Sequence, residues 1–473
     1  MRSLSVFLIG IIAVPSAVLG ADEKIDIQAL RQEIRELRQR TEQLERKLQS
    51  IEAAPPAQPS TLTTNAPPPT VSTPATSSAA EPAQLSKPWS PANPITLRAG
   101  SAYMNIGFDA LVDAGSSTAP EPGNYLQLGG HDPFQRGFSM PNTELSLDGA
   151  VDPYFTAFAN FVLQLDKNNQ TSIEAEEVYF KTTALPWNIQ LKGGQYLANF
   201  GRQNSQHPHQ WAFVDQPLIL TRVFGPDGLR SIGGDLSWLP PTPFFTEFTL
   251  GILNGNGEQG FLFRNPGEYV AAAGANYFRG RPTVAGDLRN AGDLLFVPRF
   301  ATSFDVTDNQ TLLAGLSAAL GPNNTGQDSR TEVYGADLYW KWKSPAAEKG
   351  FPFVAFQTEG LYSRFEAGAD PLGYPAENLY DYGFYSQVLW GFHPRWVAAL
   401  RGEWVDGNRG LDDANDVFRG ERTRISPNLT WYPTEFSKIR LQYNFDHGEL
   451  FGEDHSVWLQ FEFQLGAHAA HKF

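Results

Sequence analysis

Residues 457–465 read V-W-L-Q-F-E-F-Q-L. Val457, Leu459, Phe461, Phe463 and Leu465 fall on one face, and Trp458, Gln460, Glu462 and Gln464 on the other. Side chains alternate across a strand, so this segment has an unbroken apolar face and a mostly polar one. As an exposed edge in water it would aggregate. Between lipid and water it has the pattern a barrel wall needs. The same period of two recurs along the chain. Met104, Ile106 and Phe108 oppose Asn105 and Asp109, and Phe296, Phe300 and Phe304 oppose Arg299 and Ser303. Tyr334, Leu338, Trp340 and Trp342 oppose Asp337, Lys341 and Lys343. Ile439, Leu441, Tyr443 and Phe445 oppose Lys438, Arg440, Gln442 and Asn444. Helical spacing fits none of these.

Sixteen such segments are expected, at 101–112, 138–150, 153–166, 173–185, 188–198, 229–239, 244–254, 294–305, 310–320, 332–343, 353–364, 380–392, 395–405, 421–431, 436–446 and 456–466. Short turns, such as Pro186-Trp187 and His393-Pro394, alternate with long stretches such as 113–137, 199–228 and 255–293. The pattern predicts an all-β fold, a 16-stranded antiparallel transmembrane β-barrel over 95–473. An even strand number puts both barrel ends on the short-turn, periplasmic side. Trp187, Trp238, Trp342, Trp396 and Trp431 fall beside proposed short turns, where amphipathic rings meet headgroups.

Before the barrel the period changes. Ile27, Leu30, Ile34, Leu37, Leu44, Leu48 and Ile51 step by three and four, with Thr41 at the missing position. Charged residues such as Arg31, Glu33, Arg38 and Glu45 flank them. This predicts a short coiled-coil helix within 21–52, or a single amphipathic helix lying on another surface. Residues 1–20 read as a signal peptide: a basic start, an apolar run over 4–18 and small residues before Ala21. Residues 53–94 are Pro, Ala, Ser and Thr with little charge, which predicts a disordered linker.

The 473 residues contain no Cys, which excludes disulfides, Cys-zinc sites and thiol catalysis. A net charge of −15 argues against nucleic-acid partners. Function then depends on the inward side chains and any infolded loop. Alternation makes Lys181, Lys192, Arg299, Lys341, Lys343, Arg401, Arg422, Arg424, Lys438 and Arg440 lumen-lining bases. The expected inward acids are Asp109, Glu144, Asp148, Asp166, Glu177, Asp235, Glu247, Asp337, Glu359, Glu403, Asp446 and Glu462. Charged rings on a pore wall select by sign, but here the signs nearly balance. The charges either brace the wall or form a local positive band.

The third long loop, 199–228, carries Trp211, Phe213, Phe224 and the run Pro217-Leu218-Ile219-Leu220. Water does not favour such a loop, so it is expected to fold into the lumen and narrow it. Arg202, His207, His209, Asp215, Arg222 and Arg230 are then the candidate constriction residues, an Arg there engaging anions by forked hydrogen bonds. His207 and His209 alone fall short of a metal site, which takes three or four ligands; Asp215 is a candidate third, and nothing else nearby is obvious. No metal and no cofactor are expected. Ser205 near His207 is weak support for hydrolysis, and the chain is expected not to be an enzyme.

The stretches G-F-S-M-P-N-T-E-L-S-L-D-G (137–149), I-E-A-E-E-V-Y-F-K (173–181) and L-K-G-G-Q-Y-L-A-N-F-G-R (191–202), with an ending in Phe473, resemble the phosphate-selective porin O and P family over roughly 95–473. The resemblance implies a sixteen-stranded outer-membrane channel, a homotrimer, with its third loop folded inward. The expected function is passive diffusion of small hydrophilic solutes or anions such as phosphate through an outer-membrane porin. The expected partners are outer-membrane lipid, the solute and further copies of the chain. The alternative is a plugged barrel with a structural or receptor role, its coiled coil binding a periplasmic partner.

Overall fold

The computed structural model describes residues 95–466, apart from 169, 272, 285, 287, 371, 372 and 412–417. The proposed signal peptide, coiled-coil helix, linker and Phe473 lie outside the described residues. Within them the strands are β1 Ile95–Ala99, β2 Ala102–Ser117, β3 Gly137–Ala150, β4 Phe155–Leu165, β5 Thr171–Thr182, β6 Ile189–Leu197, β7 Arg230–Trp238, β8 Phe245–Leu253, β9 Glu268–Val270, β10 Ala275–Phe278 and β11 Arg281–Pro282. They continue as β12 Leu295–Thr307, β13 Gln310–Pro322, β14 Arg330–Glu348, β15 Phe351–Ala367, β16 Glu377–His393, β17 Trp396–Gly407, β18 Arg422–Thr434, β19 Ser437–Gly448 and β20 Gly452–Gly466.

Each of β2–β7 pairs antiparallel with the next, β8 pairs with β12, and the ladder runs on to β20. β20 then pairs with β2, from Gly107↔Gly466 to Ser117↔Ser456, which closes a ring of sixteen strands. β1 takes up β2 where β20 ends, with Ile95 opposite Ile106. β9–β11 form a small separate sheet inside the loop after β8.

All sixteen expected strands are present, and their connections alternate as expected. Turns 308–309, 349–350, 394–395 and 435–436 lie on one side, and loops such as 118–136, 198–229 and 254–294 on the other. β14, β15 and β16 are 19, 17 and 17 residues long, well beyond their apolar alternation. About 9–11 tilted residues cross the hydrocarbon. The apolar pattern marks only that part, while the hydrogen-bonded ladder continues into water. The sequence reading missed β1, which is only five residues long, and β9–β11, which lie in the loop after β8 outside the barrel ladder. Asp166, expected on the inner wall, lies past the end of β4. Its Oδ1 instead accepts from the backbone N–H groups of Asn168 and Gln170.

Burial is inverted relative to a soluble protein. Leu459 and Phe461 are 47% and 45% exposed, whereas Gln460 and Glu462 between them are 2% and 0% exposed. The outside is a lipid face and the inside is packed. Trp187, Trp238 and Trp431 are exposed beside short turns, and Trp396 stacks on Trp431 at 5.9 Å. Leu459→Arg should therefore destabilise the barrel by about 2–4 kcal/mol, and Trp187→Arg by no more than about 1 kcal/mol. Urea midpoints in lipid vesicles check the contrast.

Candidate functional site

Loop 198–229 enters the barrel because its side chains find there what water does not offer. The helical turn Leu218–Phe224 is buried at every position. It packs with Tyr196, Phe200 and Leu229 against the inner wall residues Val297, Leu361, Phe365, Tyr385 and Val405. Each Leu, Ile or Phe so buried contributes about 1.5–3 kcal/mol. Gly225 ends the turn at φ 76, and a Cβ there would meet the Phe261 ring at 2.8 Å. Only glycine fits such a left-handed, crowded ending.

The loop has little secondary structure, so its backbone polar groups need partners. Wall side chains from much of the ring supply them. Ser317 accepts from Gly201 N at 3.0 Å, Glu359 from Gln203 N at 2.7 Å, Gln442 from Val214 N at 2.9 Å and Glu403 from Leu218 N at 2.7 Å. In the other direction, Lys438 donates to His209 O at 2.8 Å, Arg440 to Trp211 O at 2.8 Å and Asn428 to Ala212 O at 3.0 Å. Loop and wall are therefore one hydrogen-bonded unit.

The six candidate constriction residues do not meet at one point, although His207 stacks on His209 and His209 shares a cavity with Arg202. Asp215 joins the polar wall, pairing with Arg401 and with Arg424 (3.0 Å) and accepting from Gln442 and Asn444. Burial would raise its carboxyl, but Arg401 and Arg424 hold it below the usual carboxylate range. Arg222 sits at the end of the helical turn, donating to Gly420 O at 3.0 Å. Burial pushes it down to about 10, against the pull of Asp381, so it remains a cation at neutral pH. Arg230 opens β7 and pairs with Glu174. Arg202 lies over the Tyr339 ring at 4.0 Å and donates to Gln357 at 3.2 Å. Spacing within a loop cannot separate these positions, because each is set by the wall strand the loop meets there.

The lumen bases fall into three groups. Arg299 pairs with Asp337 (2.7 Å), Arg401 with Glu403 (2.8 Å), Arg422 and Arg424 with Asp446 (2.6 and 2.9 Å), and Lys438 with Glu462. Arg440 donates to Thr430 and Gln460. These brace the wall. Lys181 and Lys192 lie against the Tyr179 ring, and Lys192 also lies 3.9 Å from the Tyr196 centroid. Among the described residues, Arg202, Lys341 and Lys343, like Lys181, Lys192 and Arg440, form no ion pair with a carboxylate. Arg202 and Lys341 line a cavity of about 330 Å³ with Trp211, Tyr339 and Phe353. Lys343 follows on the same face of β14, nearer the 349–350 turn.

His207 and His209 meet carboxylates of the wall. His207 Nδ1 is 2.9 Å from Glu176 and Nε2 is 2.8 Å from Glu177, while His209 Nδ1 is 3.4 Å from Glu144. The third residue expected beside them, Asp215, is held instead by the arginines above. Ser205 is exposed and His207 buried, so the pair forms no catalytic unit. The sequence reading missed Glu176 because strict alternation turns it outward. Asn160 pairs with Glu177 but Phe161 pairs with Ala175, so Glu176 is the extra residue of a β-bulge, and both glutamates are buried. Two adjacent acids inside an alternating strand were the available signal.

His131, in the loop after β2, joins this cluster through Glu176 at 3.5 Å and Pro141 O at 3.3 Å. Burial alone would lower its imidazole. The hydrogen bond and charge of Glu176, with Asp227 and Glu144 beyond it, outweigh burial and raise it to about 9. A group raised on folding stabilises fully below its unfolded value, about 6.5, and loses that contribution as pH rises through about 9. His131→Gln should accordingly remove a loss of thermal stability between about pH 6.5 and 9. Melting curves of both proteins across that range check it.

No family model matches the chain. An uncharacterized protein of Aquifex aeolicus (strain VF5) is 32% identical over 376 residues, covering 74% of each chain. The chain belongs to that protein's family. Among solved structures, the outer membrane channel DcaP of Acinetobacter baumannii matches with a TM-score of 0.51 at 12% identity, over 77% of this chain and 98% of that one. An anion-selective porin from Comamonas acidovorans matches with a TM-score of 0.48 at 8% identity, over 77% and 100%. The likeness to DcaP shows the fold, that of an outer-membrane porin. These matches do not carry the phosphate-selective O and P family suggested by the motifs.

Proposed function

We propose that the protein is an outer-membrane channel, narrowed by loop 198–229, through which small anionic solutes diffuse. The observation that carries this reading is the basic lining of the cavity that Arg202 and Lys341 share. Acids and polar partners take up most of the wall bases, while Arg202, Lys341 and Lys343 form no ion pair among the described residues. A cation beside an aromatic, water-poor wall attracts anions more strongly than one in bulk water. Phosphate is one such anion, and the motif resemblance favours it. A homotrimer fits the same reading. In planar bilayers with a salt gradient, the Arg202→Ala/Lys341→Ala/Lys343→Ala variant should move the reversal potential toward cations. An unchanged potential would place selection elsewhere.

A second reading, a plugged barrel with a structural or receptor role, draws on the apolar packing of Leu218–Phe224 against β12–β17. It requires that the folded protein conduct no ions at all.

A further inference from the structure

The meeting point of loop 198–229 with β2–β5 holds more carboxylate than channel wall or loop anchor requires. Asp109, Glu144, Glu176 and Glu177 come together there with His207 and His209, all of them buried. One oxygen of Glu144 lies 3.7 Å from His207 Nδ1 and 3.4 Å from His209 Nδ1. The two rings are stacked, 5.7 Å between centroids. Ligand atoms of Asp109, Glu144 and His209 all lie within 4.8 Å of one another, as do those of Glu144, Glu176 and His207.

An acidic cluster alone is no site, because neighbouring donors can satisfy it. Here the donors are unevenly spread. Asn142 donates to Glu144 Oε1 at 2.6 Å, and Asn160 donates to both Glu144 and Glu176. His207 serves Glu176 and Glu177. The nearby cation Lys438 is paired with Glu462 and donates to His209 O. Neither oxygen of Asp109 takes a hydrogen bond of ordinary geometry, the Gln464 amide being the nearby donor, although the residue is completely buried. A buried carboxylate without a well-placed donor is costly, by about 1–3 kcal/mol or more for a charged group. A cation seated against it removes that cost.

We propose that Asp109, Glu144 and His209 bind a divalent first-row transition-metal ion, which pins loop 198–229 to the barrel wall. The donor set decides the class of ion. An imidazole nitrogen with carboxylate oxygens suits zinc and its neighbours, whereas calcium takes 6–8 oxygens and magnesium keeps its waters. The spacing agrees. Ligand atoms about 2.0 Å from a tetrahedral zinc ion lie roughly 3.3 Å apart. The Glu144–His209 separation is 3.4 Å. The asparagines on Glu144 act as the outer layer that orients a ligating carboxylate. His207, stacked on His209, keeps Glu176 and Glu177 beside the ion.

The test uses the full chain in detergent, stripped with chelator and titrated with zinc chloride by calorimetry. Wild type should take up one ion per chain. Asp109→Asn and His209→Ala should each weaken binding by about 100-fold or more, beyond the 10–100-fold typical of outer-layer residues. His393→Ala, at the end of β16 beside the 394–395 turn, should leave it unchanged. The shift of the folded barrel on an unheated gel shows that each variant has folded. At a zinc concentration a hundred times the dissociation constant, protease cleavage within loop 198–229 should slow by up to about 100-fold in wild type and in neither variant. Folded wild type that takes up no zinc above the stripped background would overturn the proposal. Equal binding by wild type, Asp109→Asn and His209→Ala would overturn it as well.

Discussion

Replacing Asp215 by Ala should free loop 198–229 from the polar half of the wall while leaving the barrel intact. The carboxylate pairs with Arg401 and Arg424 and accepts from Gln442 and Asn444. Removing one partner of a buried pair costs about 3–5 kcal/mol, because the charge left behind is uncompensated. Arg401 keeps Glu403 and Arg424 keeps Asp446, which sets the expected cost near the lower end of that range. At 1.4 kcal/mol per tenfold, about 3 kcal/mol raises the population of released loop roughly 100-fold. The effect is local, because the sixteen-strand ladder does not run through Asp215. Asp215→Asn keeps a hydrogen-bonding side chain of the same size, and its effect should be smaller. Protease cleavage within 205–225, read beside unchanged gel mobility of the folded barrel, measures both.

Leu220→Asp should release the apolar half. Leu220 is fully buried in the cluster that joins the helical turn to the inner wall. Truncating such a residue costs about 2–5 kcal/mol, and an unpaired carboxylate in its place adds a desolvation cost. The turn Leu218–Phe224 then loses its seat against β15–β17. A loop that narrows the lumen should widen it when it leaves, so single-channel conductance should rise and become noisier. Conductance identical to wild type would mean that the turn does not border the ion path.

The two variants act on opposite sides of one loop, and this division explains how much the sequence could tell. Strand existence was legible because lipid imposes a strict demand. Val457, Leu459, Phe461 and Phe463 all had to be apolar, and all are exposed. The inner face carries no such rule. Arg401, Arg424 and Lys438 are buried, and their partners come from other strands and from the loop. The brace between Lys438 and Glu462 was legible because those residues face each other across adjacent strands. The link from Arg424 to Asp215 spans 209 residues and leaves no local trace. Glu176 was misplaced by a single bulge, and Arg202, Arg222 and Arg230 were grouped only because they share a loop. The apolar run Pro217-Leu218-Ile219-Leu220 did announce an infolded loop, because it had nowhere else to be buried.

The structure thus divides the lumen by chemistry. One side of the loop is held by ion pairs and hydrogen bonds to β17–β19, and the other by apolar packing on β12–β17. Arg202 of the loop and Lys341 of β14 line one basic cavity, with Lys343 further along the same strand face. Passage depends on whether water and ions reach that basic region past the loop. Single-channel recording of the folded full chain in planar bilayers under a potassium chloride gradient tests this most directly. The account predicts discrete conductance steps with a reversal potential on the anion side. Folded protein that inserts and yields no steps, or steps favouring potassium, would contradict it.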